Sequence, residues 1–403
     1  MRPSGRYPEA VDQRGSTLDG VRRRNLATVL ERVHRSGPAS RAQLTASTGL
    51  NRSTIAALVA DLEAFGLVEK GDPLATSKVG RPSPLVSVSE HPVAIAVNPE
   101  VDSVTVGVVG LGARFDQVVR VPVDHIMTPG EAVDVIAGIV EGELAETIAR
   151  RRVVGVGLAI PGLVRASDQV VRWAPHLGWR ESAFADDLAA RLGYPCFAGN
   201  DATLGAIAEH RFGSARGIAD LVYLNGGPSG IGGGVVVANR LVGGAGGYAG
   251  EFGQNRPGLA DAADRRTTDG TLEDEVSRGR LLDVLGLDNV DDPTLEAALM
   301  AAADDPEVRR EVERQRRVLA VALANAINVL NPTLVALGGF LATLRAIDPE
   351  RLDALVAECA LDAAWEDVSI VPAALSGSQL LVGAAELAFA PVLADPAAFA
   401  VQS

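Results

Sequence analysis

The sequence predicts an α/β protein in two parts: a winged helix-turn-helix over residues 19–90, followed by a much larger α/β body over residues 91–403. Two patterns carry this reading. Up to about Leu62, apolar residues recur at helical spacing in three short runs, followed by a polar stretch and the alternating Leu85-Val86-Ser87-Val88. From about residue 91, glycine-rich β-branched runs alternate with alanine-rich helical stretches, the pattern of α/β units. Charge divides at the same place. Residues 1–90 hold thirteen Lys and Arg against nine Asp and Glu, a net of +4, within a chain of net charge -14. The head can therefore face phosphate while the acidic body stays away from it.

In the head, Leu26, Val29, Leu30 and Val33 fall at i, i+3, i+4 and i+7 and mark a helix from about Leu18 to Arg35, ended by Ser36-Gly37-Pro38. The polar, arginine-bearing residues 1–18 before it are expected to be a disordered tail. Ser40 with Gln43 forms a capping box for a second helix, and Thr48-Gly49 supplies the turn after it. Asn51 is the natural N-cap of a third helix. There Ile55, Leu58, Val59 and Leu62 repeat the apolar stripe and turn Arg52, Ser53, Ala56, Ala57 and Ala60 outward. In this layout the second helix of the pair enters the DNA major groove by its first turn.

The candidate DNA contacts follow from that placement. Arg52 can reach a guanine edge or a phosphate, Ser53 and Thr54 a phosphate or a base, beside Asn51 at the same entry point. Gln43 serves as a cap or as a base reader, and Arg41 as a contact or as a solvated helix charge. Lys78-Val79-Gly80-Arg81-Pro82 reads as a wing tip, with Arg81 suited to a narrow minor groove and Lys78 to a phosphate. A protein-interaction module would also use three short amphipathic helices. Helices, turn, wing and local charge together favour double-stranded DNA.

With 403 residues and 47% hydrophobic content, the chain can bury more than one core. Two cysteines, Cys196 and Cys359, give no disulfide framework and no Cys-x-x-Cys pair, which fits a reducing cytoplasm. No apolar leader and no run of eighteen apolar residues is present, so a soluble cytoplasmic protein away from membranes is expected. The five histidines have no ligand spacing, and no Ser/His/Asp order points to a hydrolase.

In the body, Val93–Val97, Val104–Val109 and Val153–Ile160 read as buried strands, the last ending at Pro161-Gly162. Leu221–Leu224, the glycine cluster Gly226–Gly234 and Val235–Val237 read as a hairpin whose backbone amides can approach a phosphate or a sugar closely. Asn200-Asp201-Ala202 falls at a strand-to-helix junction.

In order, the body carries Pro161-Gly162, Pro175-His176-Leu177-Gly178-Trp179, Asn200-Asp201-Ala202, the Gly230–Gly234 loop, Ala249-Gly250-Glu251, Gly270-Thr271-Leu272-Glu273 and Asn331-Pro332-Thr333-Leu334-Val335-Ala336-Leu337-Gly338-Gly339. This order and spacing resemble the ROK family of repressors and sugar kinases over essentially all of residues 19–403. The resemblance implies an actin-like, sugar-kinase-like body of two lobes with an effector cleft between them. The winged head places the chain beside the xylose and N-acetylglucosamine repressors of that family rather than the stand-alone kinases. Carried over, the family pattern implies that Asn200, Asp201, Glu251 and Glu273 hold the hydroxyls of a bound sugar, with Gly162 and Gln254 in the same cleft. Carboxylates accept from adjacent hydroxyls, and an asparagine both donates and accepts. In kinase members the position of Asp201 is the general base.

Two departures from the family pattern bear on activity. Kinase members carry an Asp-x-Gly-x-Thr phosphate loop; here the stretch reads Ala96-Val97-Asn98-Pro99-Glu100-Val101-Asp102-Ser103-Val104, with Glu100 and Asp102 repelling phosphate. The family's zinc ligands, a histidine and three cysteines, are replaced, with Gln254 at the histidine position and Thr271 at the last cysteine, and residues 255–270 are expected to form a mobile polar loop. The expectation is a regulator without catalytic residues, metal or cofactor. Its partners would be an operator, a sugar or sugar-phosphate effector, and further copies of itself as a homodimer or homotetramer. The rivals are a sugar kinase with an appended DNA-binding head and a ligand-independent regulator controlled by a protein partner.

Overall fold

The computed structural model describes residues 18–71, 84–259, 261–267, 270–288, 290–375 and 377–400. The expected tail, except Leu18, and the wing residues Lys78 and Arg81 lie outside the described residues.

The head comprises α1 (Leu18–Ser36), β1 (Ala39–Ser40), α2 (Arg41–Thr48), α3 (Arg52–Ala64), β2 (Val68–Gly71) and β3 (Leu85–Val88). Its boundaries are set by local chemistry. Ser40 Oγ accepts from the Gln43 amide at 3.2 Å while Gln43 Oε1 accepts from the Ser40 amide at 2.8 Å, closing the capping box of α2. Gly49, at φ 70, then turns the chain in the left-handed region. Asn51 Oδ1 caps α3 by accepting from the Thr54 amide at 2.8 Å. Leu26, Val29, Leu30, Val33, Leu44, Ile55, Leu58, Val59 and Leu62 form the buried centre, and β3 lies between β1 and β2 in an antiparallel sheet.

The first lobe follows with β4 (Pro92–Pro99), β5 (Ser103–Gly110), β6 (Arg114–Pro122), α4 (Pro129–Glu141), α5 (Ala145–Ala149) and β7 (Arg152–Ile160). A small antiparallel flap, β8 (Leu163–Val164), β9 (Val171–Ala174) and β10 (Trp179–Ser182), precedes α6 (Phe184–Leu192), β11 (Cys196–Asn200) and α7 (Asp201–Phe212). Strand order in this lobe is β11-β7-β4-β5-β6, with β11, β7 and β4 mutually parallel.

The second lobe starts with the hairpin β12 (Leu221–Gly227) and β13 (Gly230–Val237), then β14 (Arg240–Leu241). Helices α8 (Leu272–Glu275), α9 (Arg278–Leu285), α10 (Asp292–Ala301) and α11 (Pro306–Leu330) lead to β15 (Leu334–Gly339). After α12 (Phe340–Ala346), α13 (Pro349–Cys359) and α14 (Asp362–Trp365) come β16 (Ser369–Pro372), α15 (Gln379–Ala394) and α16 (Pro396–Ala400). The second sheet has the order β14-β13-β12-β15-β16.

Helices α7 and α15 join the parts. A side chain at Gly157 of β7 would place its Cβ 1.8 Å from the Ala384 carbonyl oxygen, so glycine lets α15 lie directly on the first sheet. Helix α7 packs on the other sheet: Ala202 and Ala206 lie against Gly232 and Gly234 of β13. The apolar centre of the head runs on without a break into Phe389, Val392 and Leu393 of α15 and Phe399 of α16. Among the described residues no helix is long and apolar enough to cross a membrane.

Candidate effector cleft and nucleic-acid interface

The parallel register pairs Val97 with Leu158 and Ile160 with Asn200, so β4, β7 and β11 end side by side. Their carboxyl ends present Asn98–Glu100, Pro161-Gly162 and Asn200-Asp201 along one edge of the sheet, where open α/β sheets hold ligands. Asn200 is central. Its Oδ1 caps α7 by accepting from the Thr203 amide at 2.9 Å, while its Nδ2 donates to the Gly162 carbonyl at 3.1 Å and to Asp201 Oδ1 at 3.1 Å. Asp201 Oδ1 also accepts from the Ala202 amide at 2.8 Å. Burial, and then the nearby Glu251 and Glu100 carboxylates, push the Asp201 carboxyl up to about 7.

The second lobe supplies the opposite wall. Glu251 immediately precedes the short helical turn Phe252–Gln254, and burial followed by the Glu273 charge raises its pKa. Glu273 accepts from Gln254 Nε2 at 2.6 Å and from the Ile231 amide at 3.3 Å. Gly230, at φ 126, is what admits this carboxylate: a Cβ there would stand 2.5 Å from Glu273 Oε2. The glycine hairpin, read from sequence as able to approach a phosphate, therefore gives one of its amides to a carboxylate of the protein. The structure brings Asn200, Asp201 and Gly162 into direct contact, pairs Gln254 with Glu273, and sets Glu251 within electrostatic reach of both groups.

Within the stretch 255–270, expected to be a mobile polar loop, residues 261–267 are tied to the second lobe by buried polar bonds. Glu275, 1% exposed, accepts from the Arg266 amide at 2.8 Å, the Thr267 amide at 3.0 Å and the Thr267 hydroxyl at 3.0 Å. Arg314, also 1% exposed, donates to Glu311 at 2.9 and 2.7 Å, to Glu275 Oε2 at 3.2 Å and to the Asp264 carbonyl at 2.8 Å. Arg317 pairs with the Asp264 carboxylate at 2.6 and 2.9 Å. A buried arginine–carboxylate network fixes this segment. The two arginines that reach Asp264 lie 50 and 53 residues further along the sequence, beyond a reading of local polarity. Among the described residues no cluster of three or more His, Cys, Asp or Glu side chains is placed to hold a metal ion.

At the other end of the molecule, α3 exposes Arg52, Ser53, Ala57 and Ala60 along one face, with Thr54 and Ala56 half-buried. Ser53 donates its hydroxyl to Asn51 Oδ1 at 2.7 Å, so Asn51 and Ser53 brace the first turn. Arg41 is half-buried at the start of α2, and Gln43, although exposed, spends its carbonyl oxygen on the cap.

One connection had no signal in the sequence. His34 of α1, 1% exposed, bonds through Nε2 to Glu386 Oε1 of α15 at 2.8 Å, and its Nδ1 accepts from the Gly112 amide at 2.9 Å. Because Nδ1 accepts, Nε2 carries the proton it donates. Glu386 also pairs with Arg211 near the end of α7, and Phe212 packs edge-on to the His34 ring at 5.2 Å. Burial acts to raise the Glu386 pKa, but His34 and Arg211 outweigh it and hold the carboxyl at about 2. Helix α7 thus starts at Asp201 in the cleft and ends against the head.

Two α/β lobes, an acidic cleft between them and a winged head docked on the first lobe define the class: a sugar-kinase-like scaffold fused to a helix-turn-helix module. The ROK family profile matches residues 101–390, and the chain belongs to the ROK family. It is 25% identical over 408 residues to a xylose repressor of Caldicellulosiruptor bescii, with 92% of this chain and 97% of the relative covered. A crystal structure described as a ROK family transcriptional regulator, homolog of the E. coli MLC protein, superposes with a TM-score of 0.75 at 21% identity, covering 95% of this chain and 100% of that one. The ROK glucokinase of Streptomyces griseus, solved with glucose and AMPPNP, superposes with a TM-score of 0.58 at 24% identity, covering 73% of this chain and 98% of the kinase.

Proposed function

We propose that this protein is a DNA-binding transcriptional repressor whose kinase-derived body senses a sugar or sugar-derived effector without phosphorylating it. The observation that carries the reading is the path along α7. Asn200 and Asp201 at its start face the cleft, while Arg211 at its other end holds Glu386, and Glu386 holds His34 of the head. An effector accepted by Asn200, Asp201, Glu251 and Glu273, with Gly162 and Gln254 beside them, bridges the two lobes and favours their closure. Because α7 touches both sheets, closure moves its far end against α1. Effector and operator affinities are then reciprocally coupled.

In the head, Arg52 with Ser53 and Thr54 reads the major groove, Arg41, Gln43 and Asn51 support that docking, and Lys78 and Arg81 of the wing contact the flanking backbone and minor groove. A homodimer or homotetramer presents two heads to a palindromic operator. The kinase alternative is disfavoured by the turn at Asn98–Asp102, which puts Glu100 and Asp102 where kinases need a neutral, small-residue cradle for phosphate. The similarity to a xylose repressor supports the repressor reading.

Two measurements test it. Operator sequences selected from random duplex DNA by the full chain are titrated with a sugar panel. If no sugar changes operator affinity or thermal stability, sugar sensing is wrong. Sugar-dependent ATP consumption in a coupled assay would overturn the loss of kinase activity.

A further inference from the structure

The cleft edge holds a residue that the family pattern does not assign to effector binding. Glu100 follows the end of β4 and is level, across the parallel register, with Pro161 and Asp201. Its carboxylate accepts from the Ser103 hydroxyl at 3.1 Å, which orients it, and it lies close enough to Asp201 to act on that carboxyl electrostatically. The positive group reaching Glu100 is Arg120, which is shared with Asp102 at 3.4 Å. Glu251 and Glu273 face the same space from the second lobe.

A second observation is independent of charge. Asn98 is 5% exposed, and its Oδ1 has no hydrogen-bond partner. Its amide acts on the neighbouring Glu100 carboxylate, so the unpartnered carbonyl oxygen is an acceptor at the cleft edge. A buried unpartnered acceptor and a row of carboxylates call for a ligand that donates. Hydroxyl and ammonium groups donate; a phosphate monoester at neutral pH is an anion bearing acceptors. A sugar held by Asn200, Asp201, Glu251 and Glu273 presents a hydroxyl at Asp201, and a phosphate on that hydroxyl would sit between Asp201 and the Asn98–Glu100 turn.

We propose that Glu100 is a specificity-determining residue of the cleft, admitting uncharged or amino-bearing sugars and excluding their phosphate esters. The inference rests on the sugar-sensing reading and narrows it. Two like charges about 6 Å apart in a partly buried site correspond to a discrimination on the order of a hundredfold.

The test is calorimetric titration of the full chain, wild type and Glu100→Gln, with D-glucose and glucose 6-phosphate and with N-acetylglucosamine and its 6-phosphate. The expected result is that the parent sugar of at least one pair binds, with its ester weaker by on the order of a hundredfold, and that Glu100→Gln removes most of that difference. An ester that binds wild type as tightly as its parent overturns the inference and leaves sugar sensing standing, as does a ratio unchanged by Glu100→Gln. If neither parent nor ester binds wild type, sugar sensing itself falls and the inference with it. The wild-type ratio is decisive even if the variant folds poorly.

Discussion

Replacing Glu386 by alanine should undock the head from the body. Its carboxylate is 3% exposed and bonded to His34 of α1 and Arg211 of α7. In the folded protein it titrates at about 2 against an ordinary 4.5, so the native state binds fewer protons than the unfolded chain between those values. Its contribution is therefore complete above about pH 4.5 and is lost as the pH falls toward 2. The difference corresponds to about 3 kcal/mol. Removing one partner of a buried ion pair costs ~3–5 kcal/mol, because the others are left unpaired. Arg211 keeps a route to solvent, with 27% of its side chain exposed, which places Glu386→Ala near the lower end. Glu386→Gln retains an acceptor for His34 Nε2 and should cost roughly half as much. Hydrogen exchange read on α1, alongside thermal unfolding at pH 7, is the assay. The expected result is faster exchange across Val29–Ser36 and a lowered melting temperature, graded Ala worse than Gln. An alanine variant with wild-type exchange and melting would show that the apolar contacts with Phe389 and Phe399 dock the head unaided, and the reasoning would fail.

Further outcomes follow from the two sites. Asp201, pushed up to about 7, costs stability progressively as the pH rises from about 3.8 to about 7 and the full amount above that, since over this window its folded form holds a proton that the unfolded form has released. Asp201→Asn should therefore stabilise the fold at pH 8 more than at pH 4, by up to ~4 kcal/mol before solvent screening reduces it, read as a larger rise in melting temperature at pH 8, while abolishing effector binding in calorimetry. Arg52→Ala should weaken operator binding by ~1–3 kcal/mol and leave melting unchanged, because the side chain is exposed at the first turn of α3; gel-shift titration at two salt concentrations reads both parts. Arg314→Ala should cost ~3–5 kcal/mol and open residues 261–267 to protease, since Glu275 and Glu311 lose their common partner. Unchanged cleavage there would mean that Glu275 holds the segment alone.

What the sequence made legible is what local chemistry decides. The capping box at Ser40 and Gln43, the Asn51 cap and the apolar stripe of α3 are settled within a few residues, and the structure has them where the pattern puts them. Strands β4, β5 and β7 follow from β-branched runs bounded by turns. The proximity of Gly162 to Asn200 and of Gln254 to Glu273 rests on contacts 38 and 19 residues apart, and the anchoring of Asp264 on arginines 50 and 53 residues away, which a period-based reading does not reach. The Glu386–His34 bond spans 352 residues, and a lone histidine at the end of an amphipathic helix gives no sign of it. Glu100 is an intermediate case. Its charge was legible as an obstacle to nucleotide phosphate, but its place beside Asp201 requires the parallel register of three strands.

The same scaffold explains why a lost phosphate loop and a retained Asp201 are compatible. Phosphoryl transfer needs positive charge and small residues around the transferring group, whereas hydroxyl recognition needs acceptors. On the proposed reading, Glu100 beside Asp201 works against the first condition and for the second. Burial first, and then neighbouring carboxylates, raise the proton affinity of Glu100, Asp201 and Glu251, so leaving them charged and without a donor is costly. A ligand that donates hydroxyls to those carboxylates relieves that cost only when both lobes contribute, because Asp201 and Glu100 lie on one lobe and Glu251 and Glu273 on the other. On the proposed reading, relief of repulsion across the cleft favours the closed arrangement, and α7, starting at Asp201 and ending beside Arg211, would carry the movement to His34. On this account, neutralising Glu100 should loosen the link between effector and operator as well as broaden effector choice. In operator titrations with and without saturating parent sugar, Glu100→Gln should show a smaller ratio of affinities than wild type. An equal ratio would separate closure from carboxylate repulsion and assign it to hydrogen bonding alone.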